Sequence, residues 1–343
     1  MNIEKTTAEE APPQTRNRSP RAIAMSRRRA TLRRSWVQFK DNKLGMLGLV
    51  ILVLFILIAI FAPFLASREE TTEVYAAKNK QPIAAAPGYQ CPSGEYTTDP
   101  STGQRTPVND CAPGEERFYP LGTDGTGRSV FALLVWGARI SLIVGVVATL
   151  MTMVIGAGIG MVGGYFGGTT DAVLARITDW FLVVPWIALA IVLAAVLGQS
   201  LGNIIFVIAI TSWAVTARLV RAQTLTVTTR AYVERSRALG AGHWHILTRR
   251  VLPNIFPVIF ANTILTVALS ILAESLLSFL GLGSPLSVSW GTTLEEAQTY
   301  GATTGGQWWW ILPPGVAITL VVLAFTMVGF AVEEITDPRL KKR

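Results

Sequence analysis

Six long apolar runs set the terms for this chain, near Leu44–Ala66, Ile140–Val162, Trp180–Leu197, Asn203–Ala217, Ile255–Leu280 and Ile311–Val332. A helix that crosses a bilayer needs about 20 such residues. The fourth run is the shortest, because Arg218 and Arg221 close it. The runs lack the alternating, roughly ten-residue pattern of an outer-membrane barrel. Half of the 343 residues are hydrophobic and 15% are charged. Soluble domains carry roughly 25% charge, so the deficit points the same way. The expected fold class is an all-α membrane protein with six transmembrane helices.

Charge asymmetry orients the spans. Residues 1–43 hold 11 Lys/Arg against 4 Asp/Glu, and residues 67–120 hold 5 against 8. Basic residues near span ends stay in the cytoplasm, so both termini are expected inside and 67–120 outside. The same parity places Arg218–Asn254, with seven Arg and one acid, inside. The expected organisation is a basic tail (1–43), a first span (44–66), an extracytoplasmic insert (67–120), a core (121–338) and a short basic tail (339–343). The first span is too long, and its polar lead too extended, for a cleaved signal. The N-terminal arginines read as a tail resting on anionic lipid, not as a nucleic-acid site. Cys91 and Cys111 are the two cysteines of the chain, and both lie in the insert. Its compartment permits a disulfide between them, worth about 3 kcal/mol through the unfolded state; two free thiols are the alternative.

Enzyme chemistry finds little support. No Lys follows a Gly, which excludes a Walker A loop, and His243 and His245 are the only histidines. At i, i+2 these do not share a helix face. Gly158-Ile-Gly160-Met-Val-Gly163 fits G-x-G-x-x-G but lies within an apolar run with no strand before it. Small residues at 156, 160 and 164 instead suit close helix approach. Glu274, in the fifth run, is costly at membrane depth. It reads either as a residue of a translocation path or as a packing carboxylate. Pro185 and Pro313-Pro314 are expected to kink their helices, and Arg176 is expected to pair with Asp179. Trp308 to Trp310, and Trp290, are placed in an interfacial aromatic belt.

One polar, basic segment interrupts the apolar pattern, Ala231–Asn254, AYVERSRALGAGHWHILTRRVLPN. Tyr232 to Leu239 suits two helical turns and Gly240 suits the helix end. A second short helix follows with Trp244, Leu247 and Val251 as an apolar stripe, and Pro253 makes the fifth span start afresh. Glu234, Arg235 and Ser236 lead a pattern in which Gly240 follows four residues after Ser236 and Leu252-Pro253 closes it. This resembles the loop by which permeases of ABC importers engage their ATPases. Leu121-Gly122-Thr123-Asp124, Gly137-Ala138-Arg139-Ile140-Ser141-Leu142 and Ser278-Phe279-Leu280-Gly281-Leu282-Gly283 extend the likeness to the second-type permease of dipeptide/oligopeptide importers, with nickel permeases close by. Departures are Arg235-Ser236 in place of Ala-Ala, and Glu333-Glu334 near the end of the sixth span.

The resemblance implies a type I importer permease fold in a bacterial plasma membrane. It implies a coupling loop over 223–254 whose contact residues are Tyr232, Glu234, Arg235, Ser236, Arg237, Ala238, Leu239, Gly240, Ala241, His243, Trp244, Leu252 and Pro253. The implied partners are a homologous second permease, two ABC ATPases and an extracytoplasmic solute-binding protein. ATP and magnesium would be bound by the ATPases, with no cofactor in this chain. Glu274 and Pro185 are carried as translocation-path candidates. A nickel or other small-solute importer is the alternative; a stand-alone channel or carrier, and a membrane-tethered enzyme or scaffold, are the other classes.

Overall fold

The computed structural model describes residues 33, 36–71, 87, 89–90, 96–98, 105–107 and 118–336. Cys91, Cys111, most of the insert, Asp337-Pro338-Arg339 and most of the N-terminal tail lie outside the described residues. The helices of the membrane part are α1 (Lys43–Leu65), α2 (Val130–Phe166), α3 (Gly168–Val183), α4 (Trp186–Leu197), α5 (Leu201–Thr228), α6 (Ala231–Ala238), α7 (His243–Ile246), α8 (Leu252–Leu277), α9 (Trp290–Thr299) and α10 (Trp308–Thr336). Within the insert, two small antiparallel ribbons pair β1 (Tyr89–Gln90) with β4 (Phe118–Tyr119) and β2 (Tyr96–Thr98) with β3 (Arg105–Pro107).

Among the described residues, five helices are long and apolar enough to cross a membrane, and the bent pair α3–α4 makes a sixth crossing if counted as one span. The third apolar run is therefore not one continuous helix over Trp180–Leu197. Pro185 disfavours helical backbone at the residue before it. Val184 is extended accordingly, at φ −73° and ψ 128°, and α3 and α4 meet at 88°. The fourth run is corrected in the opposite sense, because α5 continues past Arg218 and Arg221 to Thr228. Both guanidinium groups find acids on α3: Arg218 pairs with Asp179 at 2.7 Å, and Arg221 Nη2 donates to Asp171 at 2.7 Å. Asp179 thus pairs across to α5 and not with Arg176 one turn away.

Small residues bring helices together. A Cβ on Gly156, Gly160 or Gly164 of α2 would meet α5 backbone at 2.7, 2.5 and 2.9 Å, so the one-turn spacing of those residues produces the α2–α5 contact. On α1, Gly48 would similarly meet the Ala324 carbonyl of α10 at 2.7 Å. Asn42 caps α1 by accepting from the Gly45 N–H and donates to Glu334 Oε2 at 3.0 Å. The acidic end of α10 is thereby tied to the start of α1.

The tryptophans do not form an interfacial belt. Trp290 and Trp310 are fully buried. Trp290 sits edge-on to Phe55 and donates to the Leu134 carbonyl at 2.9 Å, with Gly137 leaving room for its ring. Trp309 donates to the Thr123 carbonyl, and of the four tryptophans expected in the belt Trp308 alone is largely exposed.

Candidate functional site: a helix–glycine–helix loop

The loop begins where α5 ends, at Thr229. In α6, Val233 is fully buried and Ser236 nearly so, the Ser236 hydroxyl donating to the Tyr232 carbonyl at 2.9 Å. Gly240 stops the helix at φ +77°. Its N–H donates to the Arg237 carbonyl at 2.9 Å, and the Ala241 N–H donates to the Ser236 carbonyl at 3.0 Å. These two bonds constitute a Schellman motif, whose left-handed residue is favoured as glycine.

The second helix departs from its expected course. Leu247–Val251 forms a π-helical turn between α7 and α8, and helical backbone runs from His243 to Leu280, ending at Gly281, which turns to φ +77°. Pro253 therefore does not restart the fifth span. A proline lacks the N–H that its helical register needs, and the wider turn absorbs the mismatch: the Leu252 N–H reaches back five residues to the Leu247 carbonyl. π-Turns inside helices frequently mark functional positions.

Burial divides the loop into an anchor and a tip. Ile246, Leu247 and Val251 pack with Val233 against Met153, Ala157 and Tyr165 of α2 and Val220 and Val227 of α5. Trp244 does not join that stripe; it is 78% exposed and Leu239 is 87% exposed. Glu234, Arg235, Arg237, Ala238 and Gly240 are exposed around them, while Tyr232, Ala241 and Leu252 are half-buried and Pro253 is exposed. Two bare apolar side chains flanked by three charges form a surface suited to a protein partner.

One anchor was invisible in sequence. Tyr165, buried at the end of α2, bonds through its hydroxyl to His243 Nδ1 at 2.9 Å, and the Arg237 guanidinium lies 4.9 Å from its ring centroid. One side chain thus holds both halves of the loop. In sequence, GGYFGG at residues 163–168 reads as a glycine-rich helix end, with nothing to indicate that its tyrosine grips residues 70 or more positions away.

Glu274 is buried in α8, where it accepts from the hydroxyls of Ser278 at 2.9 Å and Ser141 of α2 at 3.1 Å. Of its two readings, this is the geometry of a packing carboxylate. Pro185 stands at the 88° bend between α3 and α4. At the end of the bundle remote from the loop, a cavity of about 840 Å³ opens among Arg68, Trp136, Arg139, Gln199, Leu286 and Glu295. Its wall is braced by Arg128, which bonds buried Asp124 through Nε at 2.6 Å and forks onto Glu296.

Residues 153–342 match the family described as binding-protein-dependent transport system inner membrane component, and residues 31–82 match the N-terminal transmembrane domain of oligopeptide transport permease C. The chain is 32% identical over 310 residues to a dipeptide transport system permease protein of Bacillus subtilis, covering 90% of this chain and 86% of that protein. It is 37% identical over 229 residues to a glutathione transport system permease protein of Pectobacterium atrosepticum, covering 66% and 75%. An inward-facing structure of the MetNI methionine ABC transporter aligns over 62% of this chain and 97% of that one, at a TM-score of 0.48 and 20% identity.

Proposed function

This chain belongs to the family of binding-protein-dependent transport system inner membrane components, and from that premise we propose that it is the permease subunit of an ATP-driven importer of di- and oligopeptides. The peptide assignment is supported by the cargo named for its relatives. The single observation that carries the coupling role is the loop itself, pinned to α2 and α5 yet presenting Leu239 and Trp244 to solvent.

In this reading the termini and the loop lie in the cytoplasm, as the basic residues favour. A homologous second permease completes the path, a solute-binding protein delivers cargo from outside, and two ABC ATPases grip Glu234–Pro253. ATP and magnesium belong to those ATPases, and hydrolysis is theirs. When they close on ATP, the loop moves with them. Tyr165 transfers that displacement to α2, and the helical backbone from His243 to Leu280 carries it roughly 57 Å at 1.5 Å per residue to the neighbourhood of the distal cavity. Such motion is a rigid-body tilt of packed helices. The clamp of Glu274 by Ser141 keeps α2 and α8 moving as one.

The test is reconstitution with the ATPases and binding protein. Dipeptide uptake that requires ATP, and that falls when Glu234 or Gly240 is replaced while ATP binding persists, is the expected result. Gradient-driven uptake without any ATPase would replace this reading with a stand-alone carrier.

A further inference from the structure

Among the described residues, two guanidinium groups in the distal cavity have no carboxylate paired with them. Arg68, on the turn after α1, and Arg139, on the third turn of α2, lie 5.7 and 5.9 Å from the centroid of the same Trp136 ring. Neither forms an ion pair among the described residues. Arg128, the third arginine of the cavity, is already committed to Asp124 and Glu296. A carboxylate entering the cavity would find both guanidinium groups beside the same ring and gain charge-assisted hydrogen bonds from them.

The same cavity also holds an acid. Glu295 is half-buried and accepts from the Thr299 hydroxyl at 3.0 Å, with no cation paired to it among the described residues. A volume of about 840 Å³ lies within the range of small-molecule sites, roughly 300–1,000 Å³. Apolar side chains line it as well, Trp136, Ile140, Pro285 and Val288, together with Leu286, which is 92% exposed. The cavity thus offers charges of both signs to the ends of a ligand and apolar side chains to what lies between them.

We propose that this cavity is a weak subsite for the cargo, a short zwitterionic peptide whose α-carboxylate is taken by Arg68 and Arg139 and whose α-ammonium faces Glu295. The proposal rests on the reading of the cargo as peptide. Both arginines are exposed, so water screens them and the subsite holds its ligand loosely, as a transient station on a path requires.

The test uses the purified complex of both permeases and the ATPases, without the binding protein, so that no other peptide site competes. Binding of dialanine, dialanine amide, N-acetyl-dialanine and inorganic phosphate is followed by thermal shift and saturation-transfer NMR. Dialanine is expected to bind at least about tenfold more tightly than its amide, the loss of one charge-assisted contact. R68Q and R139Q should each weaken dialanine by a similar factor and leave the amide unchanged, with R139K retaining part of the binding as a check on folding. E295Q should weaken dialanine but not N-acetyl-dialanine. Equal binding of acid and amide, no binding at the highest soluble concentration, unchanged dialanine binding in R139Q, or phosphate binding as tightly as dialanine would each overturn the subsite. Dialanine uptake with the binding protein present is measured in parallel. Uptake with failed binding comparisons removes the subsite alone, whereas absence of uptake of this and longer peptides removes the peptide reading.

Discussion

Gly240 separates backbone conformation from contact as causes. Its φ is +77° and a Cβ built on it would meet nothing within 4 Å, so any cost of a side chain is conformational, not steric crowding. An L-residue in the left-handed region costs roughly 1–2 kcal/mol, and asparagine less than alanine. Gly240→Ala should therefore destabilise the loop by about 1 kcal/mol and Gly240→Asn by less. Gly240→Pro differs in kind, because its φ is locked near −65° and the N–H that donates to the Arg237 carbonyl is lost, a combined cost of about 3 kcal/mol or more. The assay is peptide uptake per ATP hydrolysed in proteoliposomes, alongside thermal stability of the complex. The expected ranking of coupling is glycine, asparagine, alanine, then proline far below, with global stability nearly unchanged because the tip is exposed. Alanine failing as completely as proline would mean that glycine is needed for a partner's close approach. Full transport by Gly240→Pro would refute the coupling role altogether.

Three further outcomes follow from the packing. Gly160→Ala places a methyl 2.5 Å from the Ala217 carbonyl and should cost about 1–3 kcal/mol by overpacking, read as a lower unfolding midpoint in detergent. Leu239→Ala and Trp244→Ala should leave that midpoint within about 0.5 kcal/mol of the parent, since both side chains are exposed, yet reduce recovery of the ATPases on co-purification; undiminished recovery would count against the docking surface. Arg128→Ala leaves Asp124 buried with its ion pair gone and should cost about 3–5 kcal/mol, seen as a large fall in unfolding temperature, with Arg128→Lys restoring only part because a lysine cannot fork onto two acids.

The loop was legible because its meaning resides in local chemistry. A glycine after two polar helical turns, a Leu-Pro end and exposed arginines are properties of consecutive residues, and the Schellman bonds at Gly240 and Ala241 realise what glycine alone accommodates without strain. The α2–α5 seam was equally readable from residues 156, 160 and 164, since one-turn spacing of small side chains needs no knowledge of the partner beyond its closeness. Misreadings arose where the deciding neighbour was distant. Asp179 chose Arg218 of α5 over adjacent Arg176, Trp290 went to the core because Gly137 left a slot for it, and Pro253 was absorbed by a π-turn that no propensity indicates.

By itself the sequence determined that the chain crosses a membrane as helices and sets one polar loop between its apolar runs, because hydrocarbon admits no unsatisfied backbone and a cluster of charges is costly there. Only the tertiary structure decided which side of that loop is anchor and which is tip, and that Arg68 and Arg139 share one ring. Those facts depend on which surfaces remain after distant helices have packed, a property of the assembled bundle and not of any single segment.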